Sequence, residues 1–535
     1  MKYFTFDCGC KFPIDSDNNS IGFDATIEHI SLDCDKTWDL ISSGNTKGCF
    51  QLESRLGRTM AKKLKPENIE QLSALISIVR PGCLEAMRDG KSVSNHYIDK
   101  KNGQEAVDYF HVALEPILKP TYGEMVYQEQ AMDITRVIAG FNLQEADLLR
   151  KAIGKKKPEE MAKVKLKFLE GSKTTKILNE DQAEEIFSWI EKSQRYSFNK
   201  SHSVSYAINA YLSAYTKAHF PKIFFASYLR FAKDKIDPQQ EIKELIQNAN
   251  EMDISVKPPD IRLLNEFFCL DNNTIYFGLT DIKGVGKSVF DKLINIVSSV
   301  TIEYNKNGWY AFLIDVLLKI NSIAAKALIG SGSLDIFGRS RNTMLFDLST
   351  VSQLTKRELE LLRQNINQDL YKALENLLNN SKITKNRNST IKEIMYTMLH
   401  PPFSLEDSAE WISDTENELL GCPITCSKID MYDITMTNAT CRDIKNNIGI
   451  TNILLAAEID RIHVVKTKSG KSKGQDMAFL SVVDNTGCLD SVVCFAEQYK
   501  QFRHVLFEGN IIIIKGKKSN TKDGIIVEKI FLPTT

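Results

Sequence analysis

The sequence predicts a mainly α-helical, multidomain protein that ends in a small all-β barrel. Through most of the first 400 residues, apolar side chains recur at the three- and four-residue spacing of amphipathic helices. From residue 452 onward, runs of β-branched residues separated by Gly, Asn and Asp replace that pattern. With 535 residues, of which 43% are hydrophobic, the chain is long enough for about three or four domains with cores of their own.

The first 235 residues are expected to form a short β-rich segment followed by one large helical domain. Residues 1–35 contain loosely alternating phenylalanines ahead of a run rich in Asp and Asn, which is typical of short strands and turns. Residues 36–235 show helical periodicity. The predicted helices of that region span 66–79, 128–139, 143–153, 158–169, 181–192 and 204–218.

Residues 236–400 are predicted to form a second, mostly helical region. Its expected elements are a helix at 239–252, a hairpin at 267–277, a helical pair within 323–334 and polar helices over 354–400, with a loop at 379–388. Two consecutive prolines, Pro401 and Pro402, mark its end. Residues 401–450 are therefore expected to link this region to the barrel.

Five β-rich runs predict the C-terminal barrel. They lie at 453–459, 477–483, 489–495, 511–514 and 525–531, and a predicted helix at 496–506 precedes the fourth run. Five strands with one helix in that place fit an OB-fold, a barrel architecture that commonly binds oligonucleotides.

Bulk properties favour an intracellular protein. The chain has no apolar run near the ~20 residues that a membrane-spanning helix needs, and its N-terminus is too polar for a signal peptide. Its eleven cysteines lack a repeating spacing, and neither Cys8-Gly-Cys10 nor Cys422 with Cys426 has a second pair at zinc-finger spacing. We therefore expect free thiols and a cytoplasmic location, the host cytoplasm if the chain comes from a phage.

A basic segment can bind phosphate groups. The formal net charge is zero, but cations crowd around Gly154, where a glycine lets the backbone turn. The members of this cluster are Arg150, Lys151, Lys155, Lys156 and Lys157. Fixed cations bind a triphosphate and stabilise the charge that develops during its transfer. The alternative is a solvated helix end balanced by Glu159 and Glu160.

A polar cluster at Asn199, Lys200, Ser201 and His202 is a second candidate site. These side chains can donate hydrogen bonds to phosphate oxygens. The alternative is a capped helix start with Asn199 or Ser201 as the N-cap, and the two readings are compatible because a helix N-terminus itself binds anions. Arg80 is held extended by the following proline and can point to a ligand, unless the segment is a structural turn.

Two further segments can contact nucleic acid. Gly284 and Gly286, flanked by Lys283 and Lys287, form a turn that can offer backbone N–H groups to a DNA phosphate, or that simply joins two helices. On the first predicted barrel hairpin lie Lys466, Lys468 and Lys471. Basic residues on such a barrel favour single-strand binding, although a protein-docking barrel remains open.

These motifs, in this order, closely resemble the fingers of the C-family replicative DNA polymerases, which comprise bacterial DNA polymerase III alpha subunits and phage relatives. The resemblance rests on residues 122–130, 146–161 and 196–211. It implies the end of the palm at 1–35, fingers at 36–235, a helix-hairpin-helix and clamp-binding-like region at 236–400, a linker at 401–450 and a nucleic-acid-binding OB-fold at 451–535. It also implies that Tyr127 and Gln128 contact the nucleotide.

The activity implied by the resemblance is template-directed attack of a primer 3′-hydroxyl on a dNTP. The implied partners are primer–template DNA, dNTPs and, as a further possibility, a sliding clamp, and the implied cofactor is a pair of Mg²⁺ ions. The paired palm carboxylates of the family should precede the fingers. Residues 13–17 are expected to be a polar turn, and Asp7 alone can match a third palm aspartate.

A separate palm-containing polypeptide is therefore expected to supply most of the metal ligands. Two alternatives stay open at this point. One is a non-catalytic DNA-binding replisome subunit derived from the polymerase. The other is a single-strand-binding protein built around the barrel, which leaves the polar cluster at 199–202 without a role.

Overall fold

The computed structural model of the chain describes residues 2–15, 20–22, 26, 28–154, 158–193, 197–365, 369–380, 383–446, 450, 452–467, 472–519 and 524–534. Contacts divide the chain into two compact units, Met1–Pro221 and Lys222–Thr535. Helices dominate both units, and a closed barrel ends the second. The predicted fold class is confirmed.

The first unit begins with a small antiparallel sheet. Its strands, in the order β1-β2-β3, are β1 (Lys2–Thr5), β2 (Lys11–Asp15) and β3 (Ser20–Ile21). Phe12 of β2 is fully buried and lies opposite Phe4 of β1. The expectation of a polar turn at 13–17 is therefore wrong for 13–15, because Phe12 anchors a strand that pairs on both sides. Asp17 lies outside the described residues.

Eleven helices follow within the described part of the first unit. They are α1 (Asp35–Ser42), α2 (Arg55–Leu64), α3 (Ile69–Ile78), α4 (Pro81–Glu85), α5 (Val93–Lys101), α6 (Glu115–Leu118), α7 (Gln128–Ala139), α8 (Leu143–Gly154), α9 (Pro158–Thr175), α10 (Glu180–Ser193) and α11 (Lys200–His219). A two-residue hairpin, β4 (Met87–Arg88) and β5 (Lys91–Ser92), precedes α5.

Helix α11 packs closely against α3 because small side chains line their contact. Ser73 and Ser203 share a buried hydrogen bond of 2.7 Å, and Ala207, Ala210 and Ala214 are fully buried. Small residues allow two helix backbones to approach closely, so α3 and α11 form one rigid support.

The second unit starts with helices and a three-stranded sheet. Its helices are α12 (Pro221–Phe231, whose first residue closes the first unit), α13 (Pro238–Glu251), α14 (Lys287–Ser298), α15 (Trp309–Asp315), α16 (Ser322–Gly330), α17 (Arg341–Val351), α18 (Lys356–Asn365), α19 (Leu370–Leu378), α20 (Lys385–Leu399), α21 (Ala409–Leu420), α22 (Cys441–Lys445) and α23 (Ala496–Phe502). Its sheet has the order β6-β8-β7, with β6 (Val256–Lys257), β7 (Cys269–Asp271) and β8 (Thr274–Tyr276). Helix α20 begins within the loop that the sequence predicts at 379–388, so the second half of that prediction is wrong.

A buried ionic network joins Arg341, the first residue of α17, to Glu416 of α21. Arg341 is 1% exposed and donates to Glu416 at 2.8 Å and to Asp335 at 2.8 Å. Glu416 in turn accepts the backbone N–H groups of Ile424 and Thr425. Because the buried charges of Arg341 and Glu416 are paired and hydrogen-bonded, the network can persist away from water.

The chain ends in a closed five-stranded barrel. Its strands are β9 (Ile453–Lys466), β10 (Asp476–Asp484), β11 (Gly487–Cys494), β12 (Ile511–Lys518) and β13 (Ile525–Phe531), in the order β10-β11-β13-β12-β9. Strands β11 and β13 pair in parallel and close a cylinder whose other pairs are antiparallel. The five predicted strands and the helix before the fourth are all present, as an OB-fold requires.

None of the helices within the described residues combines the length and the apolar character needed to cross a bilayer.

Candidate functional site

A cleft of about 680 Å³ opens in the first unit where α3 ends and α11 begins. Its volume falls within the range of about 300–1,000 Å³ that small-molecule sites occupy. The lining residues are Gln51, Leu52, Ser54, Gly57, Leu75, Ile76, Val79, Arg80, Phe198, Asn199, His202 and Tyr206. Three of the predicted phosphate-binding residues, Arg80, Asn199 and His202, therefore meet in one cavity.

The first turn of α11 forms one wall of the cleft. The side chain of Asn199 is the N-cap and accepts the backbone N–H of His202 at 2.9 Å. Ser201 donates its hydroxyl to the same amide oxygen at 2.6 Å. A capped N-terminus carries the positive end of the helix dipole, so this wall attracts anions.

A carboxylate from α7 already interacts with this helix start. Glu129 accepts the backbone N–H of Lys200 at 3.0 Å and the side-chain amide of Asn199 at 2.9 Å. The ammonium of Lys200 pairs with Glu70 at 2.5 Å. Glu129 and Glu70, which do not line the cavity, thus offset part of the positive charge of this wall.

Arg80 supplies a cation to the opposite wall. Its guanidinium carbon lies 3.9 Å from the ring centroid of Phe198, which fixes the plane of the group. The Nε of Arg80 is buried and has no hydrogen-bond partner among the described residues.

Aromatic rings form a third side of the cleft. His202 is exposed, and its ring centroid lies 4.1 Å from that of Tyr206 and 5.3 Å from that of Phe198. Phe50 is 40% exposed and lies 5.0 Å from Tyr206. Flat exposed rings of this kind offer a stacking surface to a heterocyclic base.

The loop that carries Phe50 is held by α11. The backbone N–H of Phe50 donates to the hydroxyl of Ser213 at 3.0 Å. The fully buried ammonium of Lys217 donates to the backbone carbonyls of Asn45 and Lys47 at 2.9 and 2.8 Å. Gln51, the next residue, has a φ of 61°, a conformation that non-glycine residues adopt only when their surroundings hold it. The loop is thereby fixed relative to Arg80 and the helix start.

Tyr127 does not contact the cleft, which corrects the expectation from the sequence. It is 1% exposed, and its hydroxyl shares a hydrogen bond with Ser73 at 3.1 Å. Gln128 is half-buried and donates to the carbonyl of Ser197 at 3.2 Å, while Tyr127 and Phe198 form a parallel bridge. Both residues position the segment before α11 from beneath.

Arg150 and Lys151, the described part of the basic segment, are not among the residues that line the cavity. Arg150 and Lys151 are exposed on α8 and form ion pairs with Asp147, both at 2.8 Å. Lys155, Lys156 and Lys157 lie outside the described residues. The cations that are described sit on a solvated helix face, in agreement with the alternative interpretation, and their phosphate-binding role stays a prediction.

The predicted glycine turn presents an open helix start. Lys283, Gly284, Gly286 and Lys287 are all exposed, whereas Val285 is buried beneath them. Gly284 has a φ of 96°, and a Cβ there would lie 3.3 Å from Ile323 of α16. Gly286 is the N-cap of α14 and offers no side chain to cap it. The first N–H groups of α14 are thus placed to meet a phosphate.

On the barrel, Lys466 is exposed at the end of β9, opposite Asp476 of β10. Lys468 and Lys471 lie outside the described residues. The hairpin prediction therefore rests on Lys466 alone in the structure.

The described residues do not provide a two-magnesium site. Such a site needs carboxylates that hold both ions a few ångströms apart. Asp7 lies exposed in the turn between β1 and β2, and Asp15 is the last residue of β2. The one group of side chains that can hold a metal ion among the described residues is Cys8, Cys34 and His219, whose sulfur donors suit zinc rather than magnesium.

This cysteine and histidine cluster is a site that reasoning from the sequence missed. The ligand spacings used to predict zinc sites are local, whereas Cys34 and His219 are 185 residues apart. The prediction of free thiols agrees with the absence of disulfides, since all eleven cysteines are described and none is bonded to another.

Comparison with family models gives two matches. The bacterial DNA polymerase III alpha subunit finger domain matches residues 14–176, and a helix-hairpin-helix motif matches residues 253–344. The second match contains the exposed glycine turn at 284–286.

Curated relatives match nearly the whole chain. DNA polymerase III subunit alpha of Borreliella burgdorferi is 30% identical over 522 residues, which is 96% of this chain and 42% of the relative. The subunits of Staphylococcus aureus and Aquifex aeolicus are 31% and 32% identical, over 94% and 96% of this chain. The chain spans 40–43% of the length of these relatives.

Proposed function

We infer that this chain, which belongs to the family of bacterial DNA polymerase III alpha subunits, supplies dNTP and primer–template binding to template-directed DNA synthesis. The observation that carries this function is the cleft of about 680 Å³ in which Arg80 and the first turn of α11 converge. The proposed reaction is attack of the primer 3′-hydroxyl on the α-phosphate of the dNTP, with release of pyrophosphate.

Each wall of the cleft has a role in holding the nucleotide. The triphosphate accepts from the guanidinium of Arg80, because charge-assisted hydrogen bonds are the strong ones. The positive end of the α11 dipole adds attraction, while the side-chain amide of Asn199 and the N–H of Lys200 already donate to Glu129. The base stacks against the rings of His202 and Tyr206, which are 4.1 Å apart. The nucleotide is thereby oriented with its α-phosphate towards an incoming primer, which lowers the entropic part of the barrier.

The second unit provides surfaces for DNA. The open start of α14 binds a backbone phosphate without regard to sequence. The barrel, with Lys466 at the end of β9, binds the single-stranded template. A sliding clamp remains an expected partner.

A second polypeptide completes the active site in this proposal. Paired Mg²⁺ ions held by palm carboxylates would supply charge stabilisation at the transferring phosphate. The paired palm aspartates are assigned in this proposal to a polypeptide with a palm, and Asp7 is a candidate third carboxylate. This chain itself binds and orients the nucleotide and the DNA.

Primer extension tests the proposal. The full chain is incubated with primed template, the four dNTPs and MgCl₂, alone and with a polypeptide that carries a palm with paired aspartates. We expect extension only when the two are combined, and DNA binding by the chain alone in a mobility-shift assay.

Two other outcomes would contradict the proposal in different ways. Extension by the chain alone contradicts the need for a partner and directs mutation to Asp7. DNA binding without extension under both conditions, with an active partner control, favours a non-catalytic DNA-binding subunit instead.

A further inference from the structure

Three side chains from distant parts of the first unit converge below the C-terminal end of α11. The sulfur of Cys34 lies 3.3 Å from Nε2 of His219, and the sulfur of Cys8 lies 3.7 Å from the same nitrogen. All three donor atoms lie within 4.8 Å of one another. Cys8 follows β1, Cys34 is the N-cap of α1, and His219 is the last residue of α11.

These distances match the edges of a tetrahedral zinc site. With Zn–S near 2.3 Å and Zn–N near 2.0–2.1 Å, tetrahedral angles place sulfur and nitrogen about 3.6 Å apart and two sulfurs about 3.8 Å apart. The two measured sulfur–nitrogen distances, 3.3 and 3.7 Å, bracket the expected value. A small movement of side chains suffices to admit an ion at the centre.

The surroundings hold the imidazole ready to bind. The ring of His219 lies 4.2 Å from Tyr215 and 4.6 Å from Phe6, measured between centroids. Its Nδ1 is buried without a hydrogen-bond partner among the described residues, so aromatic packing and the two sulfurs set its orientation.

Two helix ends of opposite polarity meet at this place. His219 ends the 20-residue helix α11, whose negative C-terminal end favours a cation, whereas Cys34 caps the positive N-terminal end of α1. The negative charge that would hold an ion therefore comes from the cysteine sulfurs. Binding converts the two thiols to thiolates and releases their two protons to solvent, so that the ion and its ligands together carry no net charge.

We propose that Cys8, Cys34 and His219 form a structural site for a zinc ion, which ties the β1–β2 hairpin and the start of α1 to the end of α11. The fourth position of a tetrahedral site is left to water, because the sulfur of Cys10 accepts the backbone N–H of Ser31 and is not part of the group of mutually close donor atoms. The site fixes the turn that carries Asp7 relative to the helix whose opposite end lines the nucleotide cleft. The inference stands on this cluster alone and does not depend on the proposed function.

The test measures metal binding by the full chain. The purified protein is stripped with a chelator, reconstituted with ZnCl₂ and analysed by elemental mass spectrometry, and a parallel sample takes CoCl₂ for absorption spectroscopy. We expect one zinc per chain and, with cobalt, the thiolate charge-transfer and tetrahedral bands. Cys8→Ser, Cys34→Ser and His219→Gln are each expected to weaken zinc binding more than about 100-fold, since even outer partners of a metal site contribute about 10–100-fold.

The controls separate loss of a ligand from loss of the fold. Serine is a favoured N-cap residue, so Cys34→Ser keeps the start of α1 intact. Cys83→Ala, at a buried cysteine elsewhere in the first unit, is expected to bind zinc like the natural chain. Absence of bound zinc in the natural chain, or full zinc binding by the three variants with native circular dichroism, overturns the proposal.

Discussion

The two ends of helix α11 differ in the charge they attract. At the N-terminal end, Asn199 caps exposed N–H groups next to Arg80, and the cleft there suits a triphosphate. At the C-terminal end, His219 meets two cysteine sulfurs, and the cluster suits a divalent cation. Both arrangements follow the helix dipole, which favours anions at its start and cations at its end.

The comparison shows how one rigid element can serve two purposes. The middle of α11 is packed on α3 through Ser203, Ala207 and Ala210, all fully buried. A helix fixed along its length holds both ends at constant positions. Anchoring the C-terminal end to the β1–β2 hairpin therefore also stabilises the position of the wall at the N-terminal end.

Removing zinc is expected to have the largest effect. At a free zinc concentration about a thousand times the dissociation constant, binding linkage stabilises the native state by about 4 kcal/mol. Chelation should therefore lower the thermal unfolding midpoint of the natural chain, as measured by circular dichroism. The same chelator should leave Cys34→Ser unchanged, and an equal decrease in that variant contradicts a site at this end of α11.

Arg80→Ala is expected to have the next largest effect, on nucleotide binding. Hydrogen bonds to charged groups contribute about 1.5–3 kcal/mol, so the dNTP dissociation constant should rise by about 10- to 100-fold. The dissociation constant is measured by titrating the chain, bound to primer–template, into a fluorescent dNTP. Arg136→Ala is the matched control, since Arg136 is an exposed arginine on α7 that pairs with Asp133 outside the cleft. Equal losses in both variants contradict a role for the cleft.

Asn199→Ala should produce a smaller effect, on stability. Loss of an N-cap side chain costs about 1 kcal/mol, here with the additional loss of the contact to Glu129. Urea unfolding should show that decrease, while Asn199→Ser, which retains an acceptor for the N–H of His202 and places no charge beside Glu129, should lie closer to the natural chain. If Asn199→Ala unfolds like the natural chain, the capping geometry assigned to this end of α11 is wrong.

Glu129→Gln is expected to change stability and binding in opposite directions. A carboxylate near a helix N-terminus contributes about 0.3–1 kcal/mol, so its neutral replacement should reduce stability by that amount. Removing a negative charge beside the cleft should at the same time tighten dNTP binding slightly. Pyrophosphate titration by calorimetry checks the second effect, and weaker binding by Glu129→Gln would contradict an anion site at this helix start.

Local features of the site could be predicted from the sequence. The polar run at 199–202 indicated a capped helix start, and Asn199 is the N-cap. The helix predicted at 128–139 has those bounds in the structure. Helix α11 begins earlier than its apolar periodicity at 204 indicated, because its first turn is polar and held by capping rather than by packing.

Features that depend on distant pairs could not be predicted. Glu129 and Lys200 are 71 residues apart, and Cys8 and His219 are 211 residues apart. Tyr127 belongs to a polar motif, yet it is buried and its hydroxyl shares a hydrogen bond with Ser73 of α3. Lys217 is fully buried although lysine is usually exposed, because loop carbonyls satisfy its ammonium.

A crystal structure of the full chain with primer–template, a dNTP and zinc tests the central claim most directly, with anomalous data collected at the zinc edge. We expect triphosphate density between Arg80 and the first turn of α11. We expect one strong anomalous peak between Cys8, Cys34 and His219. A triphosphate bound elsewhere, with this cleft empty, would contradict the assignment of the nucleotide site to the N-terminal end of α11.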